Sequence, residues 1–543
     1  MKSLLWWPEK NNKAYFLLLS LLSALLLSAG WLWHILVILI FVAWLPLIEL
    51  DFQLEKEPGK RKGWVFFGYV YLTMLSWNLI TTWWIINSTV VGALMAFGAN
   101  SLLMTIPIAL YRKTRIRLGN RMGFLSLVAY WLCLEYLHLN WDLSWSWLNL
   151  GNVFAFRHHW VQWYDYTGAL GGTLWVLLVN ILVYRAFFMQ NRTRMRILSV
   201  VLALSIPFSI GYYRFFTYHD EGQKIEVVAV QPNIDPYTEK FADSPNFVPL
   251  TEQVNRFITL SEKAITPKTK FVLWPETAIS TNIDEASFGT DPVIARLQQF
   301  VDSHPGLSLV TGITTYKIYP SKQEATATSR MQAGVGYYDV FNSALFISQG
   351  NPPGIYHKSK LVPGVEQMPY PEVFGLLSAL VIDMGGASGG LGKQEDRTVF
   401  QNADGIVGPV ICYESVYGDF VTGYVSEGAN FIGIITNDGW WGDTPGHKQH
   451  LAYASLRAIE NRRPIARSAN TGISAFLDSR GNVEQVLPYL TMGTLQQEVV
   501  LNNELTFYTR FGDILGKMAE ILAPSIFVWS FLVRYFTKRV KPV

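Results

Sequence analysis

Val410-Ile411-Cys412-Tyr413-Glu414 closes an apolar run that begins at Ile406 and stops at a thiol followed by a carboxylate. Such a run reads as a β-strand, and α/β sheets carry their reactive groups at strand ends, where loops open onto a cleft. Working outward, two more segments are built alike. Phe271-Val272-Leu273-Trp274-Pro275-Glu276 is an apolar strand halted by proline with a carboxylate at its tip, and Tyr356-His357-Lys358 precedes Leu361-Val362-Pro363. Glu366 follows eight residues after that lysine. On residue type alone each is equally a solvated loop residue, and Lys358 an ordinary surface cation. Further strands are expected at 225–230, 308–310, 343–347, 431–435 and 473–477, with helices at 248–263, 292–303 and 449–462. Alternation of this kind predicts an α/β domain with sheets covered by helices, and 314–340 reads as a long surface loop or hairpin.

Either side of this region the composition changes. Half of the chain is hydrophobic, with 20 Trp, 26 Tyr and 32 Phe, and the apolar excess sits in long runs at the two ends. About eight of these runs are long enough to cross a bilayer: 14–30, 31–50, 64–87, 89–111, 122–139, 168–188, 197–215 and 512–533. The first two are separated by a turn at Gly30-Trp31, and the first is read as a span rather than a cleaved signal, because more apolar sequence follows it. Basic residues then orient the bundle. Lys2, Lys10 and Lys13, the Lys56 to Lys62 group, the Arg112 to Arg121 group, Arg185 with Arg192, Arg194 and Arg196, and Arg534 with Lys538, Arg539 and Lys541 all fall on one side. The opposite short loops hold Arg157 alone. The positive-inside rule makes both termini cytoplasmic and puts 216–511 on the outer face. The expected organisation is a transmembrane bundle over 1–222, a catalytic domain over 223–505, and a last span with a cytoplasmic tail over 506–543. A net charge of +3 gives no argument for nucleic acid. The two cysteines, Cys133 in a span and Cys412 in the outer domain, exclude a disulfide framework there.

Glu276, Lys358 and Cys412, in that order and in those local words, resemble the nitrilase superfamily of carbon–nitrogen hydrolases. With the flanking spans, the likeness narrows to its membrane-embedded branch, the apolipoprotein N-acyltransferases. That branch also matches at Val230-Gln231-Pro232-Asn233-Ile234, Glu135-Tyr136-Leu137, Asn437-Asp438-Gly439-Trp440-Trp441-Gly442-Asp443, Gln449-His450, Arg457-Ala458-Ile459-Glu460 and Asn470-Thr471-Gly472. The chain departs from it at His138, Phe241 and Gly364-Val365. The resemblance implies a nitrilase-like αββα sandwich and a Glu276–Lys358–Cys412 triad, supported by Glu366, Tyr413 and Glu414. It implies no cofactor, a phospholipid as acyl donor, and the N-terminal amine of a diacylglyceryl lipoprotein as acceptor. It also implies residence in a bacterial inner membrane with the catalytic domain on the periplasmic side.

Two rivals are open at this level: a membrane-anchored nitrilase or amidase hydrolysing a small amide, and a transporter with an outer domain. The spans hold few charges, Glu135 chief among them, which argues against the transporter. His447 and His450 are spaced for one helix face, but no partner with ligand spacing accompanies them, so no metal is expected. The aromatic segment 141–166 suits an outer interfacial belt, or equally the lining of a lipid path. Gly385-Gly386-Ala387-Ser388-Gly389-Gly390 lacks the context of a phosphate loop and reads as a flexible loop.

Overall fold

In a computed structural model of the chain, residues 12–57, 62–189, 194–367, 370 and 390–539 are described. Two units emerge: Met1–Trp83 with Ala93–Arg214 and Asp513–Val543, and Trp84–Gly92 with Phe215–Gly512. The glycine-rich segment at 385–390 lies outside the described residues, apart from Gly390.

The first unit is helical. Among the described residues, seven helical runs are long and apolar enough to cross a membrane. One of them, Gly92–Asn140, is 49 residues long, about 74 Å if straight and more than twice a hydrocarbon core. It is not straight. Gly119 sits at φ 83° and ψ 173°, and the hydroxyls of Thr114 and Tyr130 meet at 3.0 Å. Sixteen residues along an unbroken helix would hold them about 24 Å apart. The run therefore doubles back at Gly119 into two apolar arms, where the sequence predicts separate runs at 89–111 and 122–139. The first turn, expected at Gly30-Trp31, is displaced: the first helix continues to Leu32, Trp33 turns, and a 3₁₀ segment starts at His34. Glycine does not end that helix because Gly30 is packed inside it, where a Cβ would fall 2.5 Å from the Val153 side chain. Buried Glu135 accepts from Trp131 Nε1 (2.8 Å), the Leu150 amide (2.8 Å) and the Thr173 hydroxyl (2.6 Å). Asp51 is held by Arg112 and Arg115.

The second unit is a two-sheet sandwich. Its strands in chain order are β1 (Lys224–Gln231), β2 (Thr269–Leu273), β3 (Ile279–Asp284), β4 (Ser308–Tyr319), β5 (Arg330–Gln332), β6 (Gly336–Ser348) and β7 (Gly354–His357). There follow β8 (Phe400–Gln401), β9 (Ile406–Ile411), β10 (Phe431–Thr436), β11 (Ile465–Ala469), β12 (Ser474–Leu477), β13 (Val483–Leu487) and β14 (Gly493–Val500). The first sheet runs β14-β1-β2-β4-β6-β5, with β3 on β4 and β7 on β6; the second runs β13-β12-β11-β10-β9-β8. Strand β1 packs over β11, and β6 over β9. Helices Leu250–Ala264 and Pro292–Asp302 cover the first sheet, and Gly418–Ser426 and Pro445–Asn461 the second, an αββα arrangement. Both covering helices of the first sheet place one apolar stripe inward: Val254, Phe257, Ile294, Leu297, Phe300 and Val301 join Val228, Val272, Trp274 and Leu309 in one core. The stretch 314–340 is largely ladder: β4 and β6 pair without a shift from Ser308↔Ser348 to Tyr319↔Tyr337.

Candidate active site

Four strand ends converge. After β2, Trp274 N–H still donates to Val310 O (2.9 Å), while Pro275, with no N–H to extend the ladder, turns the chain. Its carbonyl accepts from Gly312 and Ala278 (both 3.2 Å), and Thr277 takes a left-handed φ of 48°. This sharp turn projects Glu276 inward. After β7, Lys358 N–H donates to Asn342 O (2.8 Å), prolonging the pairing with β6 and aiming the lysine along the sheet edge. After β9, Cys412 opens a short 3₁₀ turn, also at φ 48°. A non-glycine residue is rarely held there, and the strain at the head of the turn is offset by its surroundings. Ser415 Oγ donates to Cys412 O (2.7 Å), and Glu414 Oε2 accepts from Ile411 N–H (2.8 Å). The fourth strand, β10, lies beside β9 with Ile435 opposite Ile411, so Thr436 and Asn437 come alongside Cys412.

Glu276, Lys358 and Cys412 are brought together and nearly closed off from solvent, at 5%, 1% and 7% exposure. Lys358 Nζ donates to Glu276 Oε1 and to Glu366 Oε1, both at 2.9 Å. Asn342 Nδ2 bridges the same two carboxylates (2.8 and 3.0 Å), and Asn437 N–H caps Glu276 Oε2 (3.1 Å). The Cys412 thiol lies within the field of the Glu276 and Lys358 charges. Burial pushes the Glu276 carboxyl up, but the Lys358 charge and the bonds from Lys358 and Asn342 outweigh it, and it ends below its ordinary value. Burial acts against the Lys358 cation, yet Glu276 and Glu366 hold it well above its ordinary range. The Cys412 thiol is pushed far up by burial and by the Glu276 charge, against the pull of Lys358. The resting arrangement is a buried thiol beside a carboxylate and an ammonium that are themselves in contact: a proton donor, an acceptor and a fixed positive charge.

The remaining residues expected from sequence divide. Glu366 joins the cluster directly, its second oxygen fixed by Val362 N–H (2.8 Å). Glu414 does not touch the thiol. Its Oε1 accepts from Tyr356 OH (2.6 Å) and from the amides of Ser359 (2.7 Å) and Lys360 (3.3 Å), while Tyr424 OH shares Oε2 at 3.1 Å. It is a strut tying the lysine segment to the cysteine turn. Tyr413 is buried edge-to-face on Tyr417, with centroids 5.1 Å apart. His450 bonds to Asp438 Oδ1 (2.9 Å), Ser415 Oγ (2.8 Å) and Cys412 O (3.2 Å), and His447 stacks on Tyr489.

Sequence reading missed Asn342, Asn437 and Lys240. Lys240 is 2% exposed and donates to Thr277 Oγ1 (2.5 Å) and Glu276 O (3.4 Å). Burial brings its pKa down to about 8 despite Glu276 nearby. Asn342 left a signal as an amide interrupting the apolar run of β6, and Asn437 as the head of the Asn437–Asp443 block.

A family model for carbon–nitrogen hydrolases matches residues 227–504, and one for the apolipoprotein N-acyltransferase N-terminal domain matches 23–182. The chain is similar to the apolipoprotein N-acyltransferase of Chlorobaculum tepidum, 31% identical over 520 residues covering 93% of this chain and 94% of the relative. That of Geobacter metallireducens is 26% identical over 497 residues, 88% of each chain. Among solved structures, a carbon–nitrogen hydrolase superfamily protein from Xanthomonas campestris aligns at TM-score 0.35 and 13% identity, over 51% of this chain and 91% of that one.

Proposed function

Because the chain belongs to the apolipoprotein N-acyltransferases of the carbon–nitrogen hydrolase superfamily, we propose that it acylates the N-terminal amine of a diacylglyceryl lipoprotein. The acyl chain comes from a phospholipid and passes through a thioester on Cys412. The observation that carries this reading is the meeting of the Cys412 thiol, the Glu276 carboxylate and the Lys358 ammonium at one buried point. A thiol held far above its ordinary pKa is a poor nucleophile until its proton leaves, so deprotonation and attack must go together. Glu276, an ionised carboxylate buried beside the thiol, takes the proton as sulfur attacks the ester carbonyl. Lys358 stabilises the resulting oxyanion. The C–O bond breaks, the lysophospholipid oxygen leaves with the proton from Glu276, and an acyl thioester remains. An amine then attacks the thioester, Glu276 removes its proton, and the cysteine thiol is regenerated. Glu366 and Asn342 hold Lys358 and Glu276 in register, and the Glu414 strut fixes the two turns; Tyr413 is assigned to the packing of the nucleophile turn.

The same reading divides the chain into a bundle over 1–222, a catalytic domain over 223–505 and a terminal span over 506–543. It places the catalytic domain on the periplasmic side of a bacterial inner membrane, as the distribution of basic residues supports. Both substrates are lipid-anchored, which accounts for a soluble fold being carried on spans.

The test is intact mass spectrometry of purified protein after exposure to phospholipid. An acyl adduct on Cys412 is expected. It should persist beyond a turnover, discharge on adding a diacylated lipopeptide with a free N-terminal amine, and resist the same peptide with its amine blocked. Rapid loss to water as free fatty acid, indifferent to the amine, would establish the amidase-like hydrolase instead.

A further inference from the structure

We propose that the side-chain amide of Asn437 donates a second hydrogen bond, beside Lys358, to the oxygen of the reacting acyl carbonyl. The inference rests on the thioester reading above. Asn437 follows β10 at the level of Cys412, since Ile435 pairs with Ile411 on the neighbouring parallel strand. Thr436, whose hydroxyl donates to Asp438 Oδ1 at 2.9 Å, precedes it, and Asn437 N–H donates to Glu276 Oε2 at 3.1 Å. Its backbone is thus placed on the catalytic carboxylate, and the residue is 1% exposed.

The amide cannot be turned round. Asn470 receives Ile234 N–H on Oδ1 (3.2 Å) and gives Nδ2 to Ile234 O (2.7 Å), which settles which end is nitrogen. The same Nδ2 donates to Asn437 Oδ1 (3.2 Å), so the oxygen of Asn437 faces Asn470 and its nitrogen faces away. That Nδ2 is buried and, among the described residues, has no hydrogen-bond partner. Buried donors are almost always paired, so an idle one beside the nucleophile and its base points to a group that arrives with the substrate.

The chemistry has room for it. An ammonium has three protons, and Lys358 commits two of them to Glu276 and Glu366. One remains for an oxygen that becomes fully anionic in both half-reactions, where preorganised donors act in combination. In acylation the S–C bond forms and the carbonyl π pair moves to oxygen. That pair returns as the ester C–O bond breaks, and the thiol proton travels by Glu276 to the leaving alkoxide. The Asn437 N–H moves nowhere; it meets the charge.

Two reactions of Cys412 separate this role from a structural one. Acylation by phospholipid passes through an oxyanion. Alkylation by iodoacetamide needs the same thiol deprotonated by Glu276 but displaces iodide at a saturated carbon. Asn437→Ala should slow acylation and discharge to the amine by roughly 10²–10³-fold, while alkylation and its pH profile stay within about threefold of wild type. Acylation within threefold of wild type, or acylation and alkylation falling together, would overturn the proposal. If Asn437→Ala does not melt cooperatively, Asn437→Ser keeps an acceptor for Asn470 but is too short to replace Nδ2, and the same split is expected of it. Failure of the wild type itself to form an adduct, with normal alkylation, would overturn the thioester reading beneath it.

Discussion

Gly312→Ala is a perturbation whose effect can be worked out from geometry. Gly312 lies on β4, and a Cβ built there would sit 2.3 Å from Thr277 N, 2.5 Å from Pro275 O and 2.6 Å from Glu276 Cα. All three are backbone atoms of the turn that presents Glu276, so no rotamer relieves them. Ordinary contact begins at 3.4 Å, and the turn must retreat by roughly 1 Å, a displacement that at a reacting group costs on the order of 10²-fold in rate. The turn is also fastened ahead, through Glu276, to Lys358, Asn342 and Asn437, so part of the strain stays in the fold, at about 1–3 kcal/mol. The assay is single-turnover acylation of Cys412 by intact mass, paired with thermal melting in detergent. Gly289→Ala, with open space around its Cβ, is the silent control. A Gly312→Ala protein that acylates at the wild-type rate and melts at the wild-type temperature would refute the claim that this turn is rigidly seated.

The Glu414 strut predicts a graded pair. Glu414→Gln strands the Ile411 amide or one of the lysine-segment amides, at about 1–3 kcal/mol, and Glu414→Ala removes the buried acceptor altogether and costs more, leaving the donors on both turns unpaired, both read by thermal melting. An Ala variant of unchanged stability but no activity would assign Glu414 a chemical role. Glu276, lowered from 4.5, contributes stability that is present above that value and lost as pH falls through its folded pKa. Lys358, raised from 10.5, contributes stability that is present below that value and lost as pH rises further. The stability gap between wild type and Glu276→Gln should therefore narrow as pH falls below 4.5; a gap that stays constant through that acid range would contradict the Glu276 shift. For topology, in a Cys133→Ala background, a membrane-impermeant maleimide should label exposed Met492→Cys in intact spheroplasts but reach Lys113→Cys only after permeabilisation. The reverse pattern would invert the bundle.

What the sequence disclosed follows from where information is local. Glu276, Lys358 and Cys412 stand at the ends of apolar runs, and their chemistry stands out against such neighbours. The spans announce themselves by hydropathy, and the basic stretch from Arg112 to Arg121 announces a reversal, although the helix runs through it as far as Gly119. The turn at Trp33 was displaced because apolar residues flank it on both sides, and only the packing of Gly30 on Val153 excludes the nearer glycine. β13 and β14 escaped notice because β13 is exposed, β14 is half-buried, and both mix polar with apolar residues without the alternation of a one-faced strand. What Asn342 and Asn437 do could not be read from the sequence. An amide acquires meaning from what faces it, and their partners lie 66 and 161 residues away.

The two turns that carry Glu276 and Lys358 grow from one sheet of the sandwich, and the turn that carries Cys412 grows from the other. An unfolded chain therefore has an ordinary thiol, and so does one in which each sheet has formed but the layers have not closed. Acyl transfer is a property of the closure, not of the cysteine. Until the layers meet, the sulfur has neither the Glu276 base nor the Lys358 charge beside it. Damage that loosens the sandwich should cost acyl transfer before it unfolds either sheet.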